Sequence, residues 1–534
     1  MSGLFERLLK KRGVKADFLS PKYEDCVDPF VLNGMDEAVK RIKQAVEKQE
    51  KILIYGDYDV DGVTASTIMH DALEMAGVKE IEIMLPDRFV DGYGMNEKVV
   101  KQAKERGCSL IITVDCGSRN NDIIDKINAA QIDVIVTDHH ECGEKLPKAV
   151  AVINPKSQAD GELHDLAGAG VAFKVAQALV KEGLIQAGRE KWLLDLVAIG
   201  TICDSMVLLG ENRRLCYYGM IVLEKTHRVG LQELMKVAGI KKITSDAIGF
   251  QLGPRLNAAG RMKSAYKSLN LLMEKDRAEA AKLAYELNEL NTNRKIEQGK
   301  AVREIADQGL NNDPVIVEKG DWHEGIIGII AGRLVEQYRR PAFVFTEIDG
   351  ALKGSGRSFG DFNLAEALKE CQNTIVSGGG HSGACGVKVL MVNYDAFKKE
   401  VNDYYRSLNL KDQERYLDQI EDLAVNELAD FSLEFTDELK KLEPYGLGNP
   451  EPVFLLRNVF VQDVRKMGVD GKHLGLIVRD NSGSSIKLVA FYASDEWLSV
   501  EVGARIDVWI TVERNEWNNL SSVEGRIVKL NLAS

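Results

Sequence analysis

The sequence predicts an α/β protein built from a parallel-sheet domain, a long connecting helix, a smaller α/β domain and a C-terminal β-barrel. Three observations carry that expectation. Between residues 51 and 155 apolar β-rich runs alternate with helical patterns; a shorter alternation of the same kind occupies about 313–408; and five short strand-like segments follow Pro444. At 534 residues the chain is too long for one core, and about one domain per 100–200 residues gives three.

Residues 1–45 form an N-terminal segment. Its opening run, MSGLFERLLKKRGV, is amphipathic but interrupted by charge, and has neither an apolar core region nor a small-residue cleavage site. With no window near the roughly 20 apolar residues of a membrane span, the expected location is the cytoplasm. Within 46–270 the strand candidates are KILIYGD, EIEIML, LIITVD, DVIVTD and AVAVINP. Runs this apolar suit parallel strands buried on both faces, whose polar C-terminal ends are where open α/β sheets bind ligands.

From about 166 the pattern is mainly helical, ending in a charged connecting helix over 271–312. A second α/β unit follows over 313–408, with PVIVEKG and PAFVFT as strands and IIGIIAGRLVEQYR as a helix. Residues 409–444, rich in Asp, Glu and Leu, read as a helical connector. In 445–534 the segments VFLLRNVFVQDV, LGLIVRD, SIKLVAFYA, ARIDVWITVE and GRIVKLNL suggest a small barrel. Eight cysteines without a CxxC pair argue against a disulfide framework or a zinc knuckle.

The net charge of −12 disfavours nucleic acid on bulk grounds, because phosphate contacts come from Lys and Arg. Acidity gathered in a metal site reverses its local sign once cations bind, and several acidic clusters stand where such a site belongs. Asp57, Asp59 and Asp61 follow the strand KILIY; in an extended segment, alternation puts all three on one side. Asp115 ends LIITV, and Asp138, His139 and His140 end DVIVT. One strand-end Asp is usually a helix cap, but three strand ends bearing carboxylate or imidazole are harder to explain as caps. Asp204 lies in the apolar run LDLVAIGTICDSM, where an interior carboxylate needs a partner such as a metal; Asp195 in the same run reads as structural. Oxygen donors with imidazole suit Mn²⁺ or Mg²⁺, and two such ions about 4 Å apart can hold a phosphodiester and activate water.

DYDVDG, VDCGS, DHH and the later Asp204 occur in the order of the four motifs of the DHH phosphoesterases, which this chain resembles. The resemblance implies a two-metal phosphodiesterase with Asp59, Asp61, Asp115, His139 and Asp204 as ligands, Asp57 as a shared ligand, and Asp138 and His140 in support. Some family members carry His where Tyr55 stands, which bears on the first metal. GGGHSGACG (378–386) is similar to the signature of the DHHA1 domain, with Cys385 in place of an alanine. That match implies a bound nucleotide close to Gly379 and Gly380, with His381 reaching a phosphate or the attacking water.

PDRFVDGYGMN, GPRLNAAGRM, WHEGIIGIIAGR, KGSGRSFGDFNL and GLGNPEPVF resemble segments of the RecJ branch of the superfamily. This implies an OB-fold for the barrel and a pocket in which Arg88, with Ser355 and Arg357 in a glycine-rich loop, KGSGR, holds a 5′-phosphate. It also implies Tyr93 stacking on a base and Arg261 neutralising a phosphate. Arg465, Lys466, Lys472, His473 and Trp517 are groove candidates on the barrel. The implied activity is 5′-to-3′ hydrolysis of single-stranded DNA in recombination and repair, with a helicase and a single-strand-binding protein as partners of a monomer. A DHH phosphodiesterase of short oligonucleotides or cyclic dinucleotides is the enzymatic alternative, and an inactive DNA-binding scaffold the non-enzymatic one.

Overall fold

The computed structural model describes residues 2–92, 94–158, 161–410, 421–468, 471–518 and 520–532. The chain forms two compact units: Val27–Met206 with Tyr218–Tyr416, and Met1–Cys26 with Val207–Tyr217 and Leu417–Ser534.

In the larger unit, strands β1 (Ile52–Tyr55), β2 (Ile81–Met84), β3 (Leu110–Val114), β4 (Asp133–Thr137) and β5 (Ala151–Ile153) form a parallel sheet in the order β2-β1-β3-β4-β5. Every residue of β1 and β3 is buried, as a parallel sheet covered on both faces requires. The chain leaves β1 toward one edge and returns to β3 on the other side, so the C-terminal ends of β1 and β3 flank a topological switch point, where such sheets open a ligand crevice. Helices Val60–Met75, Gly168–Lys181 and Leu194–Cys203 pack together beside it.

The connecting helix is Arg277–Gln308, about 48 Å at 1.5 Å per residue. Asp276 caps it by accepting from the amides of Ala278 and Glu279. It leads to β6 (Ile316–Lys319), β7 (Ala342–Ile348), β8 (Ala351–Arg357), β9 (Ile375–Gly380) and β10 (Ala384–Leu390), in the order β6-β7-β8-β10-β9. Only β6 and β7 run parallel. KGSGR, read from the sequence as a glycine-rich loop, is part of strand β8. Its alternation explains its composition. A Cβ at Gly354 or Gly356 would lie 2.3 Å from the Phe345 ring or 2.8 Å from the Phe343 ring, so the glycines admit the aromatic core while Ser355 and Arg357 point to the opposite face.

In the second unit, β12 (Phe454–Met467), β13 (His473–Arg479), β14 (Ser485–Ala490), β16 (Leu520–Leu532) and β15 (Arg505–Trp517) close into a five-stranded barrel through the β12–β15 pairing, with β11 (Leu423–Val425) added parallel to β12. The described residues 421–444 hold β11, the short helix Leu433–Leu439 and the 3₁₀ turns Leu428–Asp430 and Lys440–Leu442. Phe454 packs edge to face against Phe431 and Phe435 in the barrel core, which also takes Leu4, Phe5 and Leu8 from the helix Gly3–Arg12. Among the described residues no helix is long and apolar enough to cross a membrane.

Candidate metal and phosphate site

The carboxylates converge at the switch point, but not on an extended segment. The chain turns into the helix Val60–Met75 directly after β1: Asp59 is its N-cap, accepting from the Gly62 amide, and Asp61 lies in its first turn. A polar segment entering a helix is better satisfied by capping than by continuing a strand, which is why alternation does not describe this run.

Asp61 is held from across the crevice. Its two oxygens accept from the Gly168 amide at 2.6 Å and the Ala169 amide at 2.9 Å, at the N-terminus of Gly168–Lys181, where amides and dipole favour an anion. Close approach requires glycine at two points. A Cβ at Gly168 would lie 2.6 Å from the Asp115 Cβ, and one at Gly200 would lie 2.6 Å from Asp61 Oδ1. These glycines were missed by motif reasoning; the small-residue run AGAG (167–170) was the available signal. Asp115 itself takes a left-handed φ of 60° and is buried, a strained conformation that Asp tolerates better than most residues.

His139 Nε2 lies 3.0 Å from Asp115 Oδ1 and 3.6 Å from both Asp61 Oδ2 and Asp204 Oδ2. Donor atoms of Asp61, His139 and Asp204 lie within 4.8 Å of one another, as do those of Asp57, Asp59 and Asp115, and those of Asp115, His139 and His140. The triads therefore overlap at Asp115 and His139. Burial pushes the His139 imidazole down to about 3, reinforced by His140, so the ring is neutral at ordinary pH. Burial, then the neighbouring carboxylates, push Asp61 up to about 7 and Asp204 up to about 8, and hold Asp115 and Asp57 well above the usual range. Asp115 Oδ1 receives no hydrogen bond. A neutral imidazole facing mutually repelling carboxylates is an arrangement that divalent cations satisfy, and the oxygen-rich donor set suits Mn²⁺ or Mg²⁺.

Asp138 plays a different part. One oxygen accepts from the Ser118 amide, and the other from the His139 and His140 amides and from His140 Nδ1 at 2.9 Å. Burial opposes ionisation, but these bonds overcome it and keep the carboxyl below its usual range; in return, and again against burial, Asp138 raises His140. Tyr55 is a core residue whose hydroxyl donates to the Gly94 carbonyl. Asp195 is a structural ion pair with Arg228, accepting also from Thr226.

A cationic group stands beside the carboxylates. Arg88 lies over the Tyr58 ring at 5.1 Å. Burial, then Arg88 and Arg294, lower Arg261 to about 10, with Asp59 opposing and Arg357 adding to the shift. Arg357 donates to Ser355 Oγ at 3.1 Å. A Cβ at Gly328, in the first turn of Ile327–Tyr338, would lie 3.0 Å from both Arg357 Nη2 and Ser355 Oγ. That helix start was not singled out from WHEGIIGIIAGR, although its glycine spacing was the signal.

Gly379 has open space above its Cα, whereas Gly380, at φ 150°, has the Ala384 carbonyl 2.3 Å from its Cβ position. His381 is exposed on the β9–β10 turn, its Nδ1 accepting from the Gly383 amide, and is not among the clustered donors. Tyr93 and the Trp517 side chain lie outside the described residues. On the barrel, Arg465 pairs with Asp463, and His473 packs against Phe491 and Tyr492.

The carboxylate cage predicts a pH dependence of stability. Asp61, Asp204 and His140 bind protons more tightly in the fold than in the unfolded chain. Their stabilisation is fully present below the unfolded pKa values and is lost as pH rises through the folded ones. Above about pH 6.5 His139 is neutral in both states and drops out. In chelator, the melting temperature is therefore expected to fall between about pH 6.5 and 8.5, and saturating Mn²⁺ to flatten that fall. Thermal scans with and without Mn²⁺ measure it; equal slopes would refute the cage.

Family models match at 51–201 (DHH family, N-terminal domain), 312–407 (DHHA1 domain) and 423–529 (RecJ OB domain). The single-stranded-DNA-specific exonuclease RecJ of Bacillus subtilis is 39% identical over 97% of this chain, which spans 66% of that protein's length. RecJ of Haemophilus influenzae is 33% identical over 90% of the chain and 87% of its own length. The crystal structure of Thermus thermophilus RecJ in complex with Mn²⁺ superposes with a TM-score of 0.85 at 29% identity, covering 100% of this chain and 76% of that one.

Proposed function

The chain belongs to the RecJ family of single-stranded-DNA-specific exonucleases, and on that premise we propose that it is a metal-dependent 5′-to-3′ exodeoxyribonuclease acting on single strands in DNA recombination and repair. The observation that carries this reading is the pair of donor triads, Asp57–Asp59–Asp115 and Asp61–His139–Asp204, beside the Arg88, Arg261, Ser355 and Arg357 group. When bound in these triads, two Mn²⁺ or Mg²⁺ ions polarise the phosphodiester and lower the pKa of water.

The chain's own residues do the rest. Ser355 and Arg357, at the start of Ile327–Tyr338, hold the terminal phosphate with Arg88, because guanidinium and hydroxyl donors match phosphate oxygens. Arg261 offsets charge at the linkage to be broken. Asp138 fixes the His140 ring at the edge of the cage through its Nδ1, and Gly379 leaves room for the nucleotide. The barrel binds the strand downstream through stacking and cationic contacts. A cytoplasmic, monomeric enzyme working beside a helicase and a single-strand-binding protein completes the proposal.

The test compares a single strand, the same sequence as a blunt duplex, and a cyclic dinucleotide, each with Mn²⁺. Degradation of the single strand to mononucleotides with the duplex intact is expected. Faster turnover of the cyclic dinucleotide would refute the assignment.

A further inference from the structure

The residues His323, Glu324 and Gly325, in the segment WHEGIIGIIAGR, have no part in the proposed mechanism, yet they touch each of the segments that bring Arg88, Arg261 and Arg357 together. The His323 ring packs edge to face on Phe89, the neighbour of Arg88, with centroids 5.5 Å apart. Glu324 pairs with Lys353 at 2.5 Å, and alternation puts Lys353 on the same face of β8 as Ser355 and Arg357. A Cβ at Gly325 would lie 1.8 Å from the Arg261 carbonyl oxygen, so two backbones meet there with no room for a side chain. Gly328 then clears the space over Ser355 and Arg357.

The segment is itself anchored. The Gly325 amide donates to His323 Nδ1 at 3.1 Å and closes the turn, Trp322 Nε1 donates to Glu304 on the connecting helix at 3.1 Å, and the Thr346 hydroxyl donates to the Trp322 carbonyl at 2.7 Å. Trp322, Ile326 and Ile327 belong to one buried core, against which Met262, the residue after Arg261, also packs. Such anchoring answers an electrostatic problem. Burial disfavours the charge of both Arg261 and Arg357, and Arg88 adds to that effect in each. Three mutually repelling guanidiniums tend to separate, and a ligand that has to gather them loses affinity by that work.

We propose that His323–Gly325 is a clasp that positions Arg88, Arg261 and Arg357 before substrate arrives, and that this preorganisation sets the preference for a 5′-phosphate over a 5′-hydroxyl end. The proposal rests on the reading of Arg88, Ser355 and Arg357 as the phosphate pocket and extends it to residues that act through those side chains. All of them lie in the larger unit.

The test uses the full chain with three substitutions. His323→Ala removes both the ring on Phe89 and the acceptor of the Gly325 amide. His323→Asn restores an acceptor, since Asn side chains accept from the backbone two residues on. Gly325→Ala presses directly on the Arg261 carbonyl. The readout is the ratio of KM for a 5′-hydroxyl single strand to KM for the same strand with a 5′-phosphate, with Arg357→Ala as reference and thermal scans to establish folding. Misplacing a positioned group by about 1 Å can cost about 100-fold, so the ratio is expected to fall about 10-fold in His323→Ala and further in Gly325→Ala. His323→Asn should recover part of the loss. A packing role alone would impair both substrates alike, and an unchanged ratio in folded His323→Ala, with Arg357→Ala lowering it, would overturn the clasp and leave the pocket standing. An unchanged ratio in Arg357→Ala would instead overturn the pocket reading and the proposal with it.

Discussion

Asp115→Asn is expected to reduce Mn²⁺-dependent hydrolysis of single-stranded DNA by about 10³-fold or more, while raising the melting temperature of the metal-free protein. Asp115 belongs to the Asp57–Asp59–Asp115 triad, and its Oδ1 lies 3.0 Å from His139 Nε2 of the Asp61–His139–Asp204 triad, so its charge bears on both cation positions, and loss of several kcal/mol of transition-state stabilisation corresponds to that factor. The stability change has the opposite sign. The carboxylate is buried among Asp61, Asp59 and Asp57, which raise its pKa after burial itself, and a neutral amide relieves that repulsion. Asn also tolerates the left-handed φ of 60° at this position. Activity and apo-state thermal scans on one preparation measure both; loss of activity with loss of folding would point to a structural residue instead.

Arg357→Ala is expected to raise KM for 5′-phosphorylated single strands by about 10- to 100-fold, the equivalent of a charged hydrogen bond worth about 1.5–3 kcal/mol. Strands ending in a 5′-hydroxyl should be affected little. The expectation follows from the bond between Arg357 and Ser355 and from Gly328, which leaves the space above both. Steady-state kinetics on the two substrates separate this role from packing, since a packing defect would slow both alike.

The fold was legible where periodicity is strong. All five strands of the parallel sheet and the five of the closed barrel coincide with apolar runs or alternation, because burial on two faces or one leaves that mark on the sequence. Asp115, His139 and Asp204 were legible as candidate site residues because each ends an apolar run, and charge there needs a reason. What periodicity cannot carry is contact between distant segments. Holding of Asp61 by the Gly168 and Ala169 amides and the clearance at Gly200 both depend on segments far apart in sequence. Two local readings failed for local reasons. The Asp57–Asp61 run turns into a helix because Asp59 caps it, and KGSGR is a strand because its glycines make room for Phe343 and Phe345.

The measurement that bears most directly on the central claim follows single-stranded DNA labelled at the 5′ or the 3′ end, incubated with the purified protein and Mn²⁺. The account predicts immediate release of 5′-labelled mononucleotide, gradual shortening of the 3′-labelled strand, and no reaction in chelator. Release of the 3′ label first, or equal degradation in chelator, would contradict it.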